Sequence, residues 1–190
     1  MANKFDINNK NKLDNPKRRE SLPPYEILKT LGLQEGDIFA DIGCGIGYFS
    51  IPAADIVGSK GIVYAMDIEL EMVEETEKRA AENGMTNIRP IVTAEYDLKV
   101  GDSTVSFAFI CLVLHEIEDK VRFIYEAKRI LKDNGRIVIV EWKKSESDWG
   151  PPTDQRMENG EIQELLIKCG FTETTINVIN SDFFAATAFK

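Results

Sequence analysis

Two acids bracket a run of alternating glycines, Asp41-Ile-Gly-Cys-Gly-Ile-Gly47 and then Asp67, 20 residues beyond the last glycine. Glycines so spaced let bare main chain touch a ligand and allow a tight turn through positive φ. The spacing Gly43-x-Gly45-x-Gly47 is not the G-x-G-x-x-G that seats a dinucleotide pyrophosphate. Asp41 argues the same way, because a carboxylate just before the turn repels phosphate and suits an ammonium or a sulfonium-bearing amino acid. Asp67, closing the next strand, is placed to accept hydrogen bonds from both hydroxyls of a ribose. The plain alternative is a tight turn with no ligand, and the two flanking acids weigh against it.

Other residue types invite chemistry less directly. His115 is the only histidine and follows the fourth expected strand; it serves either as a general base or as a hydrogen-bonded scaffold residue. Glu116 beside it reads as solvated or as the cap of the next helix. Cys44, Cys111 and Cys169 are widely spaced, and with one histidine they make no metal set, so no metal is expected. The irregular stretch 142–156 carries Trp142, Trp149 and Arg156, candidates for shaping a substrate pocket. Lys17-Arg18-Arg19 is the dense basic cluster of an acidic chain. With Tyr25 it suggests an N-terminal segment folding over the site, an arginine (Arg19 among the candidates) reaching a carboxylate of cofactor or substrate.

The elements that must position these residues alternate. Short apolar runs at 38–42, 61–66, 88–93, 104–112 and 136–142 read as strands, and 25–31, 48–57, 69–83, 120–131 and 161–168 as helices. Residues 1–20 are polar and expected to be loose. Alternation of this kind predicts a doubly wound α/β fold, a mostly parallel sheet covered on both faces. The last two runs, 174–179 and 183–189, are separated by only Asn180-Ser181-Asp182. That is too short for a parallel crossover, so they should pair antiparallel. The reading divides the chain into a leader and cap helix, 1–35, and a ligand-binding domain, 36–190.

Together these segments resemble the class I S-adenosylmethionine-dependent methyltransferases, in particular the small-molecule enzymes similar to the ubiquinone and menaquinone biosynthesis type. Residues 41–47 are similar to that family's first motif, Asp67 to its ribose-binding acid, and Thr93-Ala94-Glu95 to its adenine-contacting segment. Residues 109–116 resemble its segment after the fourth strand, and 129–139 its R-x-L-K-x-G-G lead into the fifth, with Asn134 where glycine is usual. The resemblance implies a seven-stranded sheet with a reversed last strand and S-adenosyl-L-methionine as cofactor, leaving as S-adenosyl-L-homocysteine. It implies that main chain at Gly43, Gly45 and Gly47, with Cys44, cradles the methionine portion. Ile68, Ala94 and Glu95 would border the adenine, Met72 would face the cofactor, and backbone near Leu112 would line it. His115 would then lie near the methyl group.

A net charge of −9 disfavours nucleic acid and anionic membrane surfaces as partners. No run approaches the roughly 20 apolar residues of a membrane span, and the polar start lacks a signal-peptide core. Sparse, odd cysteines suit a reducing compartment, so the expected location is the cytoplasm. The expected activity is methyl transfer to a small molecule by in-line displacement, catalysed mainly by positioning. A nicotinamide-dependent oxidoreductase and a non-catalytic nucleoside-binding protein remain as alternatives. The pattern leaves the oligomeric state open.

Overall fold

The structure, a computed structural model, describes residues 13–145 and 149–190. The expectation of a loose leader over residues 1–12, and residues 146–148 of the loop after the fifth strand, lie outside them. Seven strands form one sheet: β1 (Ile38–Ile42), β2 (Ile62–Asp67), β3 (Ile88–Val92), β4 (Val105–Cys111), β5 (Leu131–Trp142), β6 (Thr172–Val178) and β7 (Phe183–Phe189). Their order is β3-β2-β1-β4-β5-β7-β6. All neighbours are parallel except β7, which runs antiparallel to both β5 and β6. The hairpin inferred from a three-residue connection is therefore present.

Side-chain alternation along the strands builds two cores. Ala40, Ile42, Ala108, Ile110, Ile137 and Ile139 face one side, packing with α5 (Lys120–Ile130) and α6 (Asn159–Lys168). Phe39, Phe107, Phe109, Val138 and Val140 face the other, beneath α2 (Pro24–Thr30) and α3 (Ser50–Val57). The helices start where local chemistry allows. Asp119 caps α5 by accepting from the Arg122 N–H at 3.0 Å, and Glu158 with Glu161 forms a capping box on α6.

One expectation fails at the N-terminus. Residues 16–21 are not loose but form a short helix, α1 (Pro16–Ser21). Its apolar period is too weak to read, and polar contacts stand in for it. The Asn15 side chain caps the Arg18 N–H, while Asp14 binds Arg19 at 2.6 Å and reaches Arg79 on α4 (Leu70–Glu82) at 3.2 Å. A smaller difference lies at β5, which already pairs at Leu131 with Val105. The strand thus begins five residues before the apolar run 136–142, and Asn134 within it takes φ 61°.

Candidate active site at the carboxyl ends of the central strands

The chain runs outward from β1 to β3 and returns to β4 on the other side of β1, so strand order reverses between β1 and β4. Open α/β sheets bind ligands outside the carboxyl ends of the strands at such a point. A cavity of about 710 Å³ lies there, within the 300–1,000 Å³ usual for small-molecule sites.

The glycine turn forms its floor. The N–H groups of Gly43 and Cys44 both donate to the Met66 carbonyl, at 2.8 and 2.9 Å, tying the turn to the end of β2. Gly45 donates to Asp67 Oδ2 at 2.9 Å, and its own carbonyl accepts from the Thr76 hydroxyl at 2.8 Å. Gly43 sits at φ +81°, where a Cβ would come within 2.4 Å of the Val113 side chain. No larger residue fits, and bare main chain faces the cavity at Gly43, Cys44 and Gly45. Gly47 departs from expectation. It does not line the cavity; a Cβ there would meet Thr76 at 3.1 Å, so this glycine lets α3 and α4 approach.

Asp67 lines the cavity as expected. Its second oxygen, Oδ1, accepts from the Glu69 N–H at 3.0 Å. Besides these two bonds the Ile68 N–H also acts on the carboxylate, whose two oxygens offer about four acceptor sites, so capacity remains for a ligand's hydroxyls. Burial pushes this carboxyl up from its ordinary value, against the lowering effect of the Glu69 and Gly45 N–H groups. Ile68, Met72, Ala94 and Glu95 continue the same wall. Leu112 lies at the β4 end of the cavity with φ 59°, an uncommon conformation for a leucine, and its N–H is held by the Val140 carbonyl at 2.9 Å.

Asp41 is a correction. Its side chain does not line the cavity. It is buried beneath the turn and accepts from the Ser50 hydroxyl at 2.6 Å. Burial pushes its pKa up to about 7, with Ser50 pulling down and the Asp67 charge pushing further up. The folded protein therefore holds a proton at Asp41 between its unfolded value of 3.8 and about 7, where the unfolded chain has lost it. The contribution to stability falls as pH rises through that window. Asp41→Asn keeps an acceptor for Ser50 and removes the ionisation. We expect it to raise the melting temperature of the ligand-free protein at pH 8 by on the order of 5 °C and to flatten the decline between pH 5 and pH 8. A variant tracking the parent across that range would disprove the assignment.

At the end of β5, Glu141 is fully buried, with its carboxylate against His115. His115 Nδ1 stands 2.9 and 3.1 Å from the two oxygens of Glu141, and the His115 backbone N–H donates to one of them at 3.2 Å. A carboxylate there assigns the proton to Nδ1 and leaves Nε2 as the free lone pair. Burial pulls the imidazole pKa down, but the hydrogen bond and charge of Glu141, with Glu116, outweigh it and raise it. Glu116 is not the cap of α5, which is Asp119. It lies on the cavity wall, 3.8 Å from His115 Nε2. The sequence reading missed Glu141; the signal available was a lone acid inside the apolar run Ile137-Val-Ile-Val-Glu-Trp142.

The far side of the cavity is aromatic. The Trp142 ring centroid lies 4.7 Å from that of Trp149 and 4.4 Å from that of Phe183. Arg156 does not reach the cavity. It is buried and donates to the carbonyls of Lys143, Ser145, Trp149 and Pro151, so it fastens the loop that carries Trp149. Arg19 is spent on Asp14, and Tyr25 is an exposed side chain off the cavity. Lys17 and Arg18 of the same basic cluster line it instead, with Leu13 and Tyr48, two residues that the sequence does not mark. Cys44 and Cys111 line it too, but burial raises both thiols well above their usual range, so neither is a nucleophile.

The features needed for an adenosyl amino acid are thus together: an open main-chain floor, a carboxylate with spare acceptor capacity, and apolar contacts from Ile68 and Met72 beside it. Known proteins agree. Residues 22–150 match the model of the ubiE/COQ5 methyltransferase family. A demethylmenaquinone methyltransferase of Geobacillus sp. (strain WCH70) is 26% identical over 116 residues, covering 61% of this chain and 50% of that protein. The aklanonic acid methyltransferase DauC of Streptomyces sp. (strain C5) is 35% identical over 113 residues, 55% of this chain and 47% of that one. The chain spans about half the length of these curated relatives. The crystal structure of a SAM-dependent methyltransferase from Aquifex aeolicus superposes with a TM-score of 0.94 at 32% identity, over 98% of this chain and 99% of that one. The fold extends to more distant structures, including a phosphoethanolamine N-methyltransferase from Haemonchus contortus with S-adenosylhomocysteine bound, TM-score 0.73 at 15% identity over 90% of this chain and 52% of that one. The nicotinamide alternative has no support among these relatives. The chain belongs to the ubiE/COQ5 methyltransferase family, with S-adenosylmethionine as its cofactor.

Proposed function

We propose that this protein transfers a methyl group to a small-molecule acceptor, and that the His115–Glu141 pair takes the acceptor's proton. The observation that carries the reading is the shared cavity: the glycine turn and Asp67 on one side, His115 in the middle, and the aromatic side chains on the other. When bound, S-adenosylmethionine supplies an electrophilic methyl carbon on sulfonium and is left as the neutral thioether S-adenosylhomocysteine. Asp67 would hold the sugar, main chain at Gly43 and Gly45 the amino-acid portion, and Ile68 with Met72 the base. Trp142, Trp149 and Phe183 would hold the acceptor with its nucleophilic atom towards the floor and exclude water from it. Aligning two reactants in this way supplies much of the rate.

His115 Nε2 would accept the proton released as the acceptor's lone pair forms its bond to carbon, and the fixed Glu141 charge would stabilise the imidazolium that results. The names of the relatives, a demethylmenaquinone methyltransferase and an aklanonic acid methyltransferase, support a small-molecule acceptor without choosing one. No helix among the described residues is long and apolar enough to cross a membrane; with three free, buried cysteines, we place the protein in the cytoplasm. The test is transfer of isotopic methyl from S-adenosylmethionine into a metabolite extract, alongside calorimetry with S-adenosylhomocysteine. The expected result is binding and a labelled small product. Binding without any labelled product would leave a nucleoside-binding protein; absence of binding would overturn the assignment of the floor.

A further inference from the structure

We infer that the methyl acceptor is a planar aromatic molecule bearing an anionic group, its ring taken by Trp142, Trp149 and Phe183 and its charge by Arg18 and Lys17. The inference rests on the methyl-transfer reading and goes beyond it by naming the acceptor's chemical class.

Three observations support it. First, Arg18 lines the cavity, and its Nε is buried with no hydrogen-bond partner. Buried polar groups are normally satisfied, so such a donor beside an open cavity points to a ligand. Its chain neighbour Arg19 is paired with Asp14, and Arg129 with Glu126 and Asp102, whereas among the described residues no carboxylate lies within ion-pair distance of Arg18, although its charge acts on the buried Asp41 from farther off. Second, the cation is held in place before any ligand arrives. It lies over the Tyr48 ring, 4.7 Å from the centroid, and the Tyr48 hydroxyl is itself tied to the Leu22 carbonyl at 2.8 Å. A planar guanidinium fork so fixed matches the two oxygens of a carboxylate or phosphate. Third, the charge and the aromatic wall are joined. Lys17 Nζ sits 4.6 Å from the centroid of Trp149, whose indole N–H donates to Asp182 at 3.3 Å. An aromatic ring entering between these walls meets apolar faces of the kind it stacks against, with two cations at the rim.

In a chain of net charge −9 this is a local preference, not a general attraction for anions. A carboxylate paired with two cations is also a poor nucleophile, so the anionic group is the handle and another atom receives the methyl. The competing use of Arg18 is to bind the carboxylate of the cofactor's methionine.

Both tryptophans of the chain line the cavity, so their fluorescence reports on it directly. The experiment titrates benzoate, phenyl phosphate and benzamide into the protein saturated with S-adenosylhomocysteine, for the parent, Arg18→Gln and Arg18→Lys. Benzoate or phenyl phosphate should quench with an affinity at least 10-fold above that of benzamide, and whichever anion is preferred identifies the handle. Arg18→Gln should abolish the preference, a loss of about 10- to 100-fold in anion affinity, with S-adenosylhomocysteine affinity unchanged; Arg18→Lys, which keeps the charge, should retain part of it. The inference is overturned by equal affinities for the three probes, by no quenching at all, or by a preference that survives Arg18→Gln. It is likewise overturned if Arg18→Gln weakens S-adenosylhomocysteine 10-fold, which would give the cation to the cofactor. Failure of the parent to bind S-adenosylhomocysteine is a different outcome, which removes the methyl-transfer reading itself.

Discussion

Replacing Asp67 by alanine is expected to weaken S-adenosylhomocysteine binding by about 100-fold or more. The carboxylate stands at the end of β2, and each of its oxygens already accepts one backbone N–H, from Gly45 and from Glu69. Two ribose hydroxyls would use the remaining lone pairs. A hydrogen bond to a charged group contributes about 1.5–3 kcal/mol, so the loss of two outweighs the roughly 2.8 kcal/mol of a 100-fold change. Part of the effect would come through the turn, because Gly45 loses the acceptor that fixes its N–H. Asp67→Asn separates the contributions: it keeps one acceptor oxygen but lacks the charge, and should lie between parent and alanine variant. Calorimetry at neutral pH measures both. An alanine variant with parental affinity would mean that the sugar is held elsewhere.

The residues legible in the sequence are those whose signal is local. Glycine spacing marks the turn at Gly43 and Gly45, and the end of an apolar run marks Asp67, because strand, turn and helix are each written over a few neighbouring residues. The errors arise where direction or distance decides. Asp41 directly precedes Ile42 and Gly43, but strand alternation puts it on the face of Phe39, under the turn and against Ser50, instead of in the cavity. Arg18 and Arg19 are adjacent, and which of them faces the ligand depends on α1, whose polar caps carry little hydrophobic period. Helical geometry turns them about 100° apart, sending one to the cavity and the other to Asp14. Arg156 was placed in a pocket for its charge, whereas four carbonyls of its own loop engage it. Glu141 is 26 residues from His115, and only the register of β4 beside β5 brings them together. No spacing rule reaches that far.

That pairing leads to the second large effect. His115→Ala should lower kcat by about 10²–10³ with little change in S-adenosylhomocysteine affinity, the magnitude usual for loss of a positioned base. Positioning by the rest of the cavity would account for the residual rate. The pH dependence distinguishes a base from a scaffold residue. Nε2 accepts a proton only while the imidazole is neutral, so kcat/KM should fall on acidification, with its midpoint above the ordinary imidazole value of 6.5 because Glu141 raises the pKa against burial. Glu141→Gln keeps an oxygen to accept from Nδ1 but removes the charge. Burial then prevails, the midpoint moves to lower pH, and the plateau rate drops because the imidazolium is less stabilised. His115→Ala should lose this limb altogether. A scaffold role predicts otherwise: both variants would lose rate by disturbing the β4–β5 end, and the midpoint would stay where it was. The direction in which Glu141→Gln moves the acid limb is therefore the decisive reading, because loosened packing has no reason to shift a titration towards acid.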